Sequence, residues 1–444
     1  MYIIHVYPPG CISDKPSKPV RLKQICVSMA RIEPFRGIRP VKELADKVAL
    51  CTNNLMNEDE RRIAARNNPV SIAHVVKPRI DFPEGTSKTE TALFTHAAAY
   101  FNRLIQERTL IQDDTPCYYV YRQMQNGRTQ HGIVARMHVD EYKAGRVKKH
   151  EHTRAEKEAE NVLHLHATGI QANPIFIAYD PVGEIDTIVN GVTATMPDYH
   201  FLTDYDINNS LWVVSDDALV ERLTKLFAEQ AGDTYIADGH HRAASVAIAA
   251  KELAGRNAQH TGREDYNYML MCLFPANQLK IYDYNRAVKD LNGLTEDQLL
   301  NAVAKKFNVT PLDSQQFQPD AFHTFGMYLN NRWYKLVAKP ELIPADPVGS
   351  LDVSILQENV LGPLLGIADP RTDKRIDFID GTKGPGSLEK RVVKGKAAIA
   401  FALYPVTMKQ LFAVADAGAV MPPKSTWFEP KLISGLIVYK MLGE

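Results

Sequence analysis

The stretch YIADGHHRAASV, residues 235–246, decides how the rest of the chain is interpreted. An apolar run, Tyr235–Ala237, ends at Asp238, and Gly239, two histidines and Arg242 follow before an alanine-rich segment. A short apolar run ahead of a polar turn is typical of a strand, and the alanines after the turn favour a helix. The pattern therefore predicts a strand that passes directly into a helix.

This turn has the chemistry of a phosphate site. The first amides of a helix lack partners inside the helix and carry partial positive charge, and Gly239 lets a ligand approach the backbone closely. Arg242 adds bidentate donors, and His240 and His241 add donors or proton-transfer groups. Asp238 suits a Mg²⁺ ion that bridges phosphates. A polar turn with a capping aspartate and solvated histidines is the alternative that these residues leave open.

Composition limits the classes of protein to which the chain can belong. Its 444 residues, 45% of them hydrophobic, are enough for two or more domains, and 52 basic residues balance 52 acidic ones. That balance argues against duplex DNA as a partner. Five scattered cysteines without a C-x-x-C pair indicate a reducing compartment, and no apolar run approaches a membrane span. We expect a cytoplasmic enzyme whose natural start is Met29, with residues 1–28 outside the core.

The remaining chain mixes helices with hairpins, which favours an α+β fold. Residues 90–110 predict an amphipathic helix, and Asn126-Gly127 predicts a tight hairpin turn. Thr153 and Glu156 form a capping-box pattern at the start of a further helix. There is no P-loop and no G-x-G-x-x-G motif, so nucleotide binding would need another phosphate cradle.

A second polar cluster is KKHEHTRAEKE, residues 148–158. We interpret it as a wall of a cleft in which Lys149, His150 and Arg154 contact nucleotide phosphates. A solvated first helical turn is the favoured alternative, because charge runs usually face water. A site for a transition metal is disfavoured, because H-E-x-x-H is absent and such sites need several converging ligands.

A third cluster is PPKSTWFEPK, residues 422–431. Two prolines stiffen this loop. Lys424 can meet an anionic group, Ser425 and Thr426 offer hydroxyls, and Trp427 gives an apolar wall, so we predict a substrate-binding loop. The alternative is a structural loop that its aromatic residues anchor to the core.

Four motifs together resemble the bacterial DUF1015 family, which is related to ParB and sulfiredoxin: YIADGHHR, KKHEHTRAEKE, RTDKRIDFIDG and MPPKSTWFEPKL. The resemblance runs from about Arg31 to the C-terminus. The chain is also similar to the archaeal ADP-dependent free-serine kinases in IEPFRGIRPVKEL, in YIADGHHRAA and in the unit that ends at PPKST. The resemblance implies a ParB/sulfiredoxin-like nucleotide-binding core over residues 29–300, with a large α/β insertion at about 80–200. It also implies a C-terminal α/β unit on the substrate side, residues 301–444.

The same resemblance implies a nucleotide-dependent phosphotransferase that acts on a small hydroxyl metabolite, with free L-serine as first candidate. ATP or ADP would be the donor, with Mg²⁺ held at Asp238. Glu43 becomes the general base, and Asp238 and His240 join it as catalytic residues. After Thr426 the kinases carry Arg-His, whereas this chain has Trp427 and a phenylalanine, which leaves a serine carboxylate without that arginine.

A non-catalytic, ParB-like nucleotide-binding regulator is the alternative function. No helix-turn-helix pattern and no basic surplus support nucleic-acid binding. Sulfiredoxin chemistry is disfavoured because the predicted phosphate loop has no cysteine. A homodimer stays open.

Overall fold

We describe a computed structural model of the chain over residues 30–51, 58–85, 89–203, 206–313 and 316–442. The predicted start at Met29 and the extension 1–28 lie outside these ranges. None of the described helices combines the length and the apolar character needed to cross a membrane.

Helices and strands alternate along the described chain. The helices are α1 (Ala45–Val48), α2 (Glu58–Arg66), α3 (Ala73–Val76), α4 (Glu90–Gln106), α5 (Val139–Lys143), α6 (Ala155–Thr168), α7 (Gly183–Thr193), α8 (Asp217–Gln230), α9 (His240–Arg256), α10 (Glu296–Ala304), α11 (Asp352–Leu356), α12 (Gly386–Val393) and α13 (Met408–Asp416). The strands are β1 (Ile32–Glu33), β2 (Ile38–Pro40), β3 (Leu50–Cys51), β4 (Leu110–Gln112), β5 (Tyr118–Gln125), β6 (Arg128–His138), β7 (Val147–Lys148), β8 (Ile170–Gln171), β9 (Ile175–Tyr179), β10 (Tyr199–Leu202), β11 (Asn208–Val214), β12 (Thr234–Asp238), β13 (Tyr268–Pro275), β14 (Ile281–Tyr282), β15 (Tyr284–Val288), β16 (Phe307–Leu312), β17 (Thr324–Leu329), β18 (Arg332–Ala338), β19 (Ile376–Asp380), β20 (Ile399–Leu403), β21 (Trp427–Phe428), β22 (Ile433–Ser434) and β23 (Tyr439–Lys440).

Two sheets organise these elements. Within the described residues, a nine-stranded sheet has the order β10-β11-β5-β6-β13-β9-β12-β7, with β1 paired to β6. A six-stranded sheet from the C-terminal part has the order β16-β18-β17-β20-β15-β19. Most neighbours are antiparallel, but β13 runs parallel to β9 and β7 runs parallel to β12. The α+β prediction is confirmed, whereas the domain boundaries stay a prediction.

Local sequence explains several of these elements. The β5–β6 hairpin turns at Asn126 and Gly127, which both have positive φ, as a tight turn requires. Helix α4 occupies most of the segment predicted as an amphipathic helix and buries one stripe, including Leu93, Ala97 and Leu104. Segment 80–200, predicted as an insertion, supplies strands to the middle of the nine-stranded sheet.

The centre of the larger sheet carries the site. Strands β9 and β13 are buried along their whole length, as expected for apolar strands covered on both faces. Helix α9 packs on both strands, α6 packs on α9, and α4 packs on α6. The C-terminal segment returns to this region, because β21 pairs with β14, β22 with β3 and β23 with β8.

Candidate functional site

The predicted strand–turn–helix is formed as the sequence indicates. Strand β12 ends at Asp238, Gly239 is the N-cap with φ +104°, and α9 begins at His240. A Cβ atom at Gly239 would lie 2.8 Å from the guanidinium of Arg242. The positive φ favours glycine at this position, and a side chain here would also have to displace the guanidinium of Arg242.

Asp238 lies between two cations. Arg242 Nη2 donates to Oδ2 at 2.7 Å, and Lys431 Nζ lies 3.2 Å from Oδ1. Arg242 Nη1 also donates to Asn173 Oδ1 at 2.5 Å and to the carbonyl of Pro174. Desolvation favours the neutral acid, but the charges of Lys431 and Arg242 outweigh it and lower the pKa of Asp238 to about 2. The side chain is therefore an anion whose two oxygens are both paired.

These pairings bear on the Mg²⁺ ion predicted at Asp238. A Mg²⁺ ion needs oxygen ligands that are free to coordinate it. Because each oxygen of Asp238 contacts a cation, the ion would have to displace Arg242 or Lys431. Across the described ranges, no group of three or more histidine, cysteine or acidic side chains is arranged to hold a metal. The donor set present does not fit a Mg²⁺ site that the protein forms alone.

The two histidines of the turn accept hydrogen bonds from the backbone of a neighbouring segment, residues 150–154. His240 Nε2 accepts the backbone N–H of His150 at 3.3 Å, and His241 Nε2 accepts the N–H of Arg154 at 3.1 Å. Each acceptor nitrogen must be unprotonated, which places the ring hydrogen on Nδ1. Burial lowers the pKa of His240 well below its usual value and also lowers that of His241. In this arrangement, two residues predicted to bind phosphate use a ring nitrogen to hold residues 150–154.

His150 is at the centre of this contact. Its side chain is 2% exposed, its ring meets the ring of His240 edge-on at 4.5 Å, and its Nε2 lies 3.5 Å from Thr426 Oγ1. Its carbonyl accepts the N–H of Met421 at 2.9 Å. Burial lowers the pKa of His150 to about 4. His150 therefore links the turn to the C-terminal loop, while its neighbour Lys149 is exposed.

Buried side chains stabilise loop 422–426 through hydrogen bonds to its backbone carbonyls. The buried guanidinium of Arg286 donates to the carbonyls of Pro423 at 3.3 Å and Lys424 at 3.0 Å. Ser425 is buried and donates to the Pro422 carbonyl at 2.6 Å. Lys424 is exposed, and its Nζ lies 5.6 Å from the ring centre of a tyrosine. Of the residues predicted for the acceptor, Lys424 faces solvent and Ser425 stabilises the loop.

Trp427 lies between loop 422–426 and the group formed by Asp238, Arg242 and Lys431, which we call the Asp238 cluster. Its ring is 4.8 Å from Lys431 Nζ, and its Nε1 donates to Glu429 at 3.2 Å. Lys431 also contacts Asp238. The ring of Trp427, predicted as an apolar wall, therefore helps to position the lysine that pairs with this carboxylate.

Glu151 is a charged residue that sequence reasoning passed over. Its Oε2 lies 3.6 Å from His240 Nδ1, and its side chain is half exposed. Desolvation raises its pKa, and the nearby charges of Lys424 and Lys431 oppose the rise. Glu151 falls within the singled-out 148–158 segment, where the basic residues drew the prediction. Lys431 falls within the singled-out loop 422–431 but was given no role, and Arg286 had no local signal, because the partners of both residues are distant in the sequence.

Glu43, the predicted general base, lies on an exposed 3₁₀ turn, Lys42–Leu44. In the sequence it is far from both Asp238 and loop 422–426. The next helix, α1, contributes Asp46 and Lys47 to the lining of a large cleft, and Glu43 is not among the described lining residues.

That cleft has a volume of about 810 Å³ and is bounded by α4, α6, α9 and residues 64–80. Apolar side chains such as Phe94 and Val246 share its walls with charged ones. The charged lining is mainly cationic: Lys47, Lys77, Arg79, Lys157 and Arg242, against Asp46 and Glu160. Its volume is in the range of small-molecule and cofactor sites. Arg242 belongs both to this cleft and to the Asp238 cluster.

Several solved structures are similar to the chain at low identity. A free serine kinase in complex with AMP is 14% identical, with a TM-score of 0.33, over 66% of this chain and 86% of that one. A conserved hypothetical protein from Pyrococcus furiosus is 13% identical, with a TM-score of 0.32, over 67% and 92%. SbnI from Staphylococcus aureus, truncated at its C-terminus, is 13% identical, with a TM-score of 0.34, over 68% and 85%.

The sequence comparisons give one clear result. None of the curated proteins compared with the chain matches it significantly. The family model described as "Protein of unknown function (DUF1015)" matches residues 32–354, which is well over half of the sequence. The chain belongs to the DUF1015 family.

Proposed function

We propose that the chain is a nucleotide-dependent phosphotransferase that moves a phosphoryl group from ATP or ADP to a small hydroxyl compound, with free L-serine as first candidate. The observation that carries the proposal is the cleft of about 810 Å³, whose charged lining is mainly cationic and which reaches Arg242 in the first turn of α9. A cationic wall next to a helix N-terminus favours a polyanionic phosphate tail.

The reaction needs positioning and charge neutralisation more than covalent catalysis. The nucleotide would occupy the cleft with its phosphates towards Arg242, and the acceptor would lie near Lys424 and Thr426. The acceptor oxygen would form a bond to phosphorus while the bond to the leaving nucleotide breaks. A base would take the hydroxyl proton, and the resemblance to serine kinases assigns that role to Glu43.

Nucleotide binding is tested by calorimetry with AMP, ADP and ATP. Lys157→Glu reverses one charge of the cleft wall. Two unit charges 4 Å apart interact by about 1–4 kcal/mol near a surface, and reversing one of them changes the interaction by at least about 2 kcal/mol, so we expect at least about tenfold weaker binding of the nucleotide phosphates. Lys394→Glu, at an exposed position beyond α12, is the matched control and should leave binding unchanged. Equal affinities of the two variants would contradict a nucleotide site in the cleft.

Transfer is tested separately by ³¹P NMR with ATP or ADP and L-serine, L-homoserine, glycerate or glycerol. A new phosphomonoester signal supports the kinase. Because both oxygens of Asp238 are paired with cations, this side chain is not free to hold a catalytic cation, which favours a second candidate, a non-catalytic ParB-like nucleotide-binding regulator. Nucleotide binding without transfer to any acceptor would select that candidate.

A further inference from the structure

We propose that Glu151 is the general base of this reaction and that it faces an acceptor bearing both a hydroxyl and a negatively charged group. The inference rests on the proposed function and replaces the base that the resemblance assigns. It starts from where Glu151 lies. Its Oε2 is 3.6 Å from His240 Nδ1 on the predicted phosphate turn, and the adjacent His150 contacts Met421 and Thr426 at the predicted acceptor loop. A base must lie where donor and acceptor meet, and Glu151 lies beside both loops.

The backbone around Glu151 is fixed from two directions. The N–H of His150 binds His240, and the carbonyl of His150 binds Met421. Three residues further on, the N–H of Arg154 binds His241. A carboxylate on a segment held at both ends loses little orientational freedom when it engages a substrate, which is the condition for efficient proton transfer.

The side chain itself is available. With 51% of its surface exposed, Glu151 can be reached by a ligand. Its distance of 3.6 Å to the neutral His240 ring is longer than a hydrogen bond, so this contact does not consume the carboxylate. Asp238 differs, because both of its oxygens are committed to cations. Neither Glu43, on an exposed turn, nor Glu151 is among the described residues that line the cleft, and what distinguishes Glu151 is its place beside His240 of the turn that carries Arg242.

The proton balance is simple. The hydroxyl proton passes to Glu151 as the acceptor oxygen bonds to the terminal phosphorus. The phosphorus–oxygen bond to the nucleotide breaks, and the leaving nucleotide keeps the electron pair on its terminal phosphate oxygen. Glu151 then releases the proton to water. Desolvation raises the pKa of Glu151, which makes its carboxylate a stronger base than a fully solvated glutamate.

The surrounding charges indicate the class of acceptor. Lys424, Lys431 and Arg154 all act on the Glu151 carboxylate, and Lys431 is also paired with Asp238. Lys424 and Arg154 are both exposed and have no ion pair among the described residues, so a ligand can bind to either cation without breaking an ion pair within the cluster. A hydroxylated carboxylate, such as a hydroxy acid or a hydroxyl-bearing amino acid, would place its anionic group there. Glycerol has no such group and should be a much poorer acceptor.

The test compares wild type with Glu151→Gln, Glu151→Asp, Glu43→Gln and a control, Glu156→Gln, from the exposed first turn of α6. Each protein is mixed with ATP or ADP and with L-serine, glycerate, glycerol or water alone as acceptor. Because general bases contribute about 10²–10⁴-fold, Glu151→Gln should lower kcat by at least about 100-fold. Its nucleotide Kd should stay within about threefold of wild type, a free-energy change below about 1 kcal/mol. Glu151→Asp should fall in between, and Glu156→Gln should match wild type.

The outcomes separate the two proposals. If wild type binds nucleotide and turns over while Glu151→Gln keeps its kcat within threefold, Glu151 is not the base and the phosphotransferase stands. Loss of turnover only in Glu43→Gln returns the role to Glu43. If wild type transfers phosphate to no acceptor, water included, the phosphotransferase and its base are both rejected. A melting curve for each variant establishes that it is folded, and Glu151→Asp serves as the test if Glu151→Gln is not.

Discussion

Replacing Asp238 by asparagine should destabilise the protein and yet tighten nucleotide binding. The substitution leaves Arg242 and Lys431 without the carboxylate that lies between them. The pKa of Asp238 falls from its ordinary value of 3.8 to about 2. At about 1.4 kcal/mol per pK unit, this corresponds to an upper limit of about 2.5 kcal/mol. Because 41% of the side chain is exposed, solvent screening reduces the expected loss to about 1 kcal/mol.

The loss has a defined pH dependence. A carboxyl group with a lowered pKa in the folded state stabilises the protein above its ordinary pKa in the unfolded chain, 3.8 for Asp238. The contribution disappears as the pH falls towards 2, the pKa in the folded protein. The difference in unfolding free energy between wild type and Asp238→Asn should therefore be constant from about pH 7 to 5 and shrink below about pH 4.

Urea denaturation at a series of pH values measures this difference, and calorimetry measures ADP affinity. Asp313→Asn is the control, because Asp313 is 95% exposed and lies 3.0 Å from its partner arginine. An exposed pair of this kind contributes about 0–1 kcal/mol, so this variant should stay near wild type. The reasoning is refuted if Asp238→Asn is as stable as wild type at pH 7, or if the difference between them grows on acidification. Tighter ADP binding is expected because Arg242 and Lys431 would no longer be neutralised by the carboxylate. Weaker ADP binding by Asp238→Asn would refute this expectation but not the one about stability.

Three further substitutions test other parts of the structure. Burial raises the pKa of Asp352 to about 7, so Asp352→Asn should stabilise the fold above pH 7 by about 1–4 kcal/mol and give no gain below about pH 4, as urea denaturation at both pH values would measure. Gly239→Ala should cost about 1–3 kcal/mol because of the positive φ and the contact with Arg242, whereas Gly255→Ala, in the open part of the same helix, should be neutral or stabilise by up to about 1 kcal/mol. Arg286→Met removes the donors that hold loop 422–426, so trypsin should cleave after Lys424 several times faster, as mass spectrometry of timed digests would measure.

Local features were predictable from the sequence because their causes are local. The strand that ends at Asp238 and the helix after Gly239 follow from an apolar run, a glycine that adopts positive φ and an alanine-rich segment. The hairpin at Asn126-Gly127 follows from the turn geometry that those residues permit. Each signal lies within a few residues of the feature that it determines.

The capping box predicted at Thr153 is wrong, and the reason is tertiary. Helix α6 has Arg154 as its N-cap, and no side chain caps it. The Arg154 N–H instead binds His241, 87 residues along the chain. A helix start that is fixed by a distant imidazole leaves no pattern in its own sequence. For the same reason, the sequence could not show that both histidines of the turn face residues 150–154.

The partners of Asp238 show the same limit at longer range. Lys431 lies 193 residues further along the chain and reaches Asp238 because the C-terminal segment returns to pair with β3 and β8. It does so through two-residue strands, which are too short to show a period of alternating side chains. The polar segments 148–158 and 422–431 stay predicted site segments, but which of their side chains turn inward depends on contacts between segments far apart in sequence.

Arg242 links the cleft to the carboxylates that would act on the acceptor. Its Nη1 is fixed at the cleft wall by Asn173, and its Nη2 is fixed by Asp238. A phosphate that accepts a hydrogen bond from Nη2 weakens the contact of Arg242 with Asp238. This changes the electrostatic effect of Asp238 on the pKa of Glu151. We therefore expect occupancy of the cleft to change the pKa of Glu151 through the contact of Arg242 with Asp238. Because such coupling is reciprocal, an acceptor that neutralises Lys424 should also change the affinity of the cleft for its anion.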